Sequence, residues 1–95
     1  MRGNFTDNGK LFLNVPAPNN ATAPLTVGGT LTLSNTSMFD LTMGGMPLAG
    51  DTYLFIQYGN VVGAASVPDA NFTFHPASPL WMKNFGPTKF TVTFA

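Results

Sequence analysis

Apolar residues in this chain return at every second position, and that period decides the fold class. In KLFLNV (Lys10–Val15), Leu11, Leu13 and Val15 fall on one face and Phe12 and Asn14 on the other. Residues 25–34 (LTVGGTLTLS) alternate as Leu25, Val27, Leu31 and Leu33, with Gly28 and Gly29 interrupting as a bulge or tight turn would. Phe39, Leu41 and Met43 share a face in Met38–Met43, and Phe90, Val92 and Phe94 share one in Lys89–Phe94. Residues 71–75 (NFTFH) alternate too, 61–67 more weakly, and 52–58 (TYLFIQY) are apolar on both faces, as a central strand is. Period two is the signature of strands. The 10 Gly and 8 Pro break the chain too often for helices. The pattern predicts an all-β fold of about seven short strands, a small β-sandwich or barrel, with a short β-solenoid as the alternative.

A chain of 95 residues fits one domain. Within it, residues 1–15 read as an extended N-terminal arm, 16–24 (PAPNNATAP) as a Pro/Asn-rich linker, and 25–95 as the main β body. Residues 75–88 form the longest stretch without alternation and hold the single Trp.

Charge narrows the function classes. Charged residues make up 8% of the chain, against roughly 25% in soluble proteins, and Glu is absent. Lys and Arg together number 4, too few to displace counterions from nucleic acid. No apolar run reaches the ~18 residues of a membrane span, and residues 1–10 lack the apolar segment of a signal peptide. With no Cys and one His, disulfides and thiolate or multi-histidine metal sites are excluded, and no cofactor is expected. A small domain without such staples often gains stability by oligomerising. A surface this poor in ions also favours association.

Catalytic constellations are weak. Ser66 or Ser78 with His75 and Asp69 could form a triad on paper, but neither serine sits in a nucleophile elbow. Asp7, Asp40, Asp51 and Asp69 are scattered, and Asp51 and Asp69 occupy turn positions. Asp40 falls opposite Phe39 and Leu41, hence toward solvent or an interface. The pairs Gly28-Gly29 and Gly44-Gly45 lack the Lys and helix of a phosphate loop. Asn4, Asn20, Asn35 and Asn71 open Asn-x-Ser/Thr sequons, which so Asn- and Thr-rich a composition produces by itself. The chain is therefore expected to be no enzyme.

The candidate contact residues are apolar: Phe5, Phe12, Trp81, Met82 and Phe85. Trp81, Met82 and Phe85 either plug one end of the core or anchor a partner. Nine Phe, two Tyr and one Trp exceed what so small a core is expected to need.

Four stretches follow one another from Leu25 onward: Leu25-Thr-Val-Gly-Gly-Thr-Leu-Thr-Leu33, Phe39-Asp-Leu41, Gly50-Asp-Thr-Tyr-Leu-Phe-Ile56 and Tyr58-Gly-Asn-Val-Val-Gly63. In that order they resemble the passenger regions of bacterial autotransporters and related surface β-solenoid proteins. The resemblance implies adhesion or display and carries over no catalytic residue. By type, the chain also resembles small phage capsid decoration (cement) proteins, which are cysteine-free, β-rich and commonly trimeric. The expected function is a structural assembly subunit on a virion surface, binding its own copies and a larger shell. The alternative is an adhesin-like or carbohydrate-binding module at a bacterial cell surface or secreted. There Trp81, Tyr53 or Tyr58 would stack on sugars.

Overall fold

The computed structural model describes residues 3–75, 77 and 80–94. Strands hold 54% of the described residues and helix is almost absent among them, so the fold is all-β. The strands are β1 (Phe5–Thr6), β2 (Lys10–Val15), β3 (Leu25–Thr32), β4 (Met38–Met43), β5 (Thr52–Val62), β6 (Phe72–His75), β7 (Trp81–Phe85) and β8 (Lys89–Phe94). Two short 3-10 turns, Ala64–Ser66 and Asp69–Asn71, lie between β5 and β6.

The first six strands alternate between two sheets. β1, β3 and β5 pair in parallel in one, and β2, β4 and β6 pair in parallel in the other. Each circuit of the chain therefore lays one new strand beside the last in both sheets. The order of the larger sheet is β1-β3-β5-β8-β7, with β8 antiparallel to both of its neighbours. Both sheets are open, which corrects the barrel expectation. A barrel needs its first and last strands to pair. Circuits that stack along a line never bring β1 round to β7.

The period-two pattern explains the stacking. Leu11, Phe39 and Phe72 are register partners across the smaller sheet, as are Leu13, Leu41 and Phe74. Phe5, Leu31 and Val61 align likewise across the larger one. One inward face per strand thus builds apolar rows with a spacing of about 4.8 Å. Between the sheets the rows meet in a ring cluster. Phe39 stacks on Phe72 at 4.8 Å, and Phe90 lies 5.9 Å from Phe39, 5.8 Å from Phe72 and 4.2 Å from Phe85.

Two local expectations need correction. The 75–88 stretch contains β7, whose inward positions are Trp81, Lys83 and Phe85. A lysine at an inward position hid the alternation. Its ammonium donates to the Val67 carbonyl at 2.7 Å and pairs with Asp69 at 2.7 Å, while lying over the Phe72 ring. Residues 61–67 are not a separate strand. β5 runs on to Val62, then Gly63, at φ 82, turns the backbone into a 3-10 turn. Within β3, Gly28-Gly29 mark a register shift against β5, in line with the bulge expectation.

Residues 16–24 lie against β5. The Asn20 side chain accepts from the Leu54 N–H and donates to the Leu54 carbonyl, both at 2.9 Å. One amide thus supplies the bonds that a neighbouring strand would give. This shelters Leu54 on the outer face, while a register shift between Leu54 and Ile56 lets Phe55 and Ile56 both lie in the core, so the run is apolar at consecutive positions.

Candidate functional site

The five predicted contact residues separate into two groups. Phe5 and Phe12 belong to the first circuit, at one end of the stack, while Trp81, Met82 and Phe85 lie on β7 at the other. Trp81 and Phe85 turn inward and are half-buried. Trp81 sits 4.7 Å from Phe74 and 5.5 Å from Phe72. Phe85 packs on Phe90. Met82 faces out, 72% exposed, and Phe12 is 70% exposed. Phe5 is half-buried. Tyr53 and Tyr58, the other candidate sugar-stacking rings, are buried. The Tyr58 hydroxyl donates to the Gly86 carbonyl at 2.7 Å, and burial pushes its pKa up to about 12.

The paper triad does not come together. His75 Nε2 is 2.9 Å from Asp40, on the outer face of the smaller sheet, and Asp69 is engaged by Lys83. Ser78 lies outside the described residues. The His75–Asp40 pair went unseen in the sequence because it depends on the β4–β6 register. Among the described residues, no three His, Asp or Glu side chains cluster as a metal site would require. The sequon side chains Asn20 and Asn71 each donate to two backbone carbonyls, so a glycan on either nitrogen would remove at least one of those bonds.

Asp7 is a buried acid that sequence reading did not separate from the other three. It occupies the corner between β1 and β2. One carboxylate oxygen accepts from the Gly9 N–H at 3.2 Å, and Oδ2 is buried without a partner. The corner is tied across circuits: the Ser37 hydroxyl donates to the Asp7 carbonyl, and Asn71 donates to the Ser37 carbonyl at 2.9 Å. Desolvation raises the Asp7 pKa, and the Gly9 bond only partly opposes it. An acid with a raised folded pKa binds protons more tightly in the folded state. Its favourable contribution is full below the unfolded value and is lost as pH rises through the folded one. Asp7→Asn is therefore expected to raise the melting temperature at pH 7 and to leave it nearly unchanged at pH 3. Equal shifts at both pH values would remove the charge as the cause.

Both ends of the stack present strand edges: among the described residues, β7 pairs with β8 alone and β6 with β4 alone at the last circuit. At the β7 end, the hairpin of β7 and β8 extends the larger sheet and lays Trp81 and Phe85 over Phe72 and Phe74. At the first circuit, β1 pairs with β3 alone and β2 with β4 alone among the described residues. The Met38 N–H bonds the Gly9 carbonyl at 3.0 Å. In a parallel pair, alternate residues of a strand face the same neighbour. The odd-numbered residues of β2 therefore face β4, and Lys10, Phe12 and Asn14 turn their N–H and C=O groups to the open edge. An exposed edge of this kind is a template for another strand. The chain matches no protein-family model, no curated protein and no solved structure.

Proposed function

We propose that the chain is a non-enzymatic structural subunit that works by being built into a larger protein assembly. The observation that carries this reading is the set of open strand edges among the described residues, β1 and β2 at one end of the stack and β6 and β7 at the other, with the exposed Phe12 and Met82 side chains beside them. A chain with 8% charged residues has little with which to keep such an edge solitary. The parallel winding supports reading the fold as a short β-solenoid. It favours a module of a bacterial surface protein over a virion decoration protein. The exposed Met82 and Phe12 would serve a particle-bound subunit equally well, so both settings demand the same behaviour.

Sedimentation equilibrium over a wide concentration range tests the reading. The expected result is a defined assembly, of whatever stoichiometry, that dissociates on dilution. Sedimentation as a 10.1 kDa monomer at every concentration would overturn it.

A further inference from the structure

We infer that Asn8 is a self-modifying site, where the Gly9 backbone nitrogen displaces the Asn8 side-chain amide with Asp7 as the general base.

Asn8 is the one asparagine in the chain that is followed by glycine. It stands exposed in the middle of the corner between β1 and β2, and its side chain has no hydrogen-bond partner among the described residues. Asn4, Asn20 and Asn71 instead spend their side chains on backbone groups, and they precede Phe5, Ala21 and Phe72. Gly9 carries no side chain over its own nitrogen, and even an added Cβ would meet nothing within 4 Å. Nothing packed against Gly9 bars the approach of the Asn8 amide carbon.

The residues on either side of Asn8 are clamped to the second circuit. The Asp7 N–H bonds the Thr32 carbonyl at 3.1 Å, and the Asp7 carbonyl accepts from the Ser37 hydroxyl. The Gly9 carbonyl accepts from the Met38 N–H at 3.0 Å. This clamp sets Asp7 Oδ1 on the Gly9 N–H, at 3.2 Å. A backbone amide becomes a useful nucleophile only as that proton leaves, and a base already in place saves the entropy of bringing one up. Asp7 is 6% exposed, and its Oδ2 has no partner. A carboxylate so poorly solvated takes up a proton more readily than one in water, in keeping with its raised pKa.

The reaction needs water and nothing else. The Gly9 nitrogen gives its proton to Asp7 and bonds to Asn8 Cγ. The Cγ–Nδ2 bond breaks, and Nδ2 leaves as ammonia, taking the proton from Asp7. Water then opens the resulting cyclic imide at either carbonyl. The product at position 8 is aspartate or, with the main chain rerouted through the side chain, isoaspartate. No atom is oxidised or reduced. Either product sets a second carboxylate beside buried Asp7. Isoaspartate also adds a methylene to the shortest connection between the two sheets, so the modification loosens the first circuit.

Peptide mapping after incubation at pH 7 and 37 °C tests this. Trypsin releases residues 3–10, and fragment spectra locate the exchange of NH2 for OH at Asn8 or at Asn4. The folded chain is expected to convert at Asn8 at least about tenfold faster than the same chain held unfolded in urea. Asp7→Asn keeps an acceptor oxygen for the Gly9 N–H but takes no proton from it. This variant is expected to convert at least about tenfold more slowly than the unmodified chain. If it fails to fold, the comparison of folded and unfolded chain still decides. Conversion no faster in the folded chain than in urea, or equally fast in folded Asp7→Asn, would overturn the inference. So would conversion centred on any other asparagine.

Discussion

Gly63→Ala is expected to leave little folded protein at 37 °C. Gly63 has φ 82, and a Cβ there would sit inside the Leu33 carbonyl group of the preceding circuit. The circuits cannot part to make room, because the Leu33 N–H bonds the Val62 carbonyl at 2.8 Å next door. A left-handed conformation costs an alanine about 1–2 kcal/mol, and the forced shift of packed backbone about 1–3 more. Domains are stable by only about 5–15 kcal/mol, and one this small belongs near the lower bound. Thermal melts followed by circular dichroism check this. Gly45→Ala is the control, since nothing lies within 4 Å of its added carbon. If Gly63→Ala melts with the unmodified chain, backbone contact between circuits at this corner does not matter.

Phe90→Ala should be nearly as damaging for a different reason. Phe90 is fully buried and makes ring contacts with Phe39, Phe55, Phe72 and Phe85, so it joins both sheets and the β7–β8 hairpin. Replacing a buried Phe by Ala typically costs about 3–5 kcal/mol. Urea unfolding is expected to show a midpoint shifted down by more than half, or no cooperative transition. Phe90→Leu, which refills much of the space, should lose less than half as much. Equal losses in the two variants would mean that ring contacts, rather than filled volume, hold the sheets together.

The strands were legible because their cause is local. Alternation in β2, β4, β6 and β8 is written in consecutive residues, and each strand pays out its apolar face to the same core. The winding was less legible, since alternation does not distinguish parallel from antiparallel neighbours. Its trace is present in Gly3-Asn4-Phe5-Thr6, Gly29-Thr30-Leu31-Thr32 and Gly59-Asn60-Val61-Val62. These align circuit on circuit, and the unequal intervals between them hide the repeat from any search at fixed period. The aromatic surplus also misled: every Phe except Phe12 is buried or half-buried, because two facing sheets and a hairpin consume rings quickly. Phe12 could be placed on an outward face from the sequence. That its strand forms an edge depends on which strands pair, and long-range pairing leaves no local mark.

One corner of the winding lengthens with each circuit. It holds residues 7–9 in the first, 33–37 in the second and 63–71 in the third. The strands on either side keep their partners throughout. Slack at this vertex is therefore absorbed without rotating any side chain to the wrong face, and doubling such a loop costs only about 0.6 kcal/mol of closure entropy. The perimeter of the molecule is elastic at a single point, which makes the 63–71 bend the natural place to carry foreign peptide while the layers beneath stay in step.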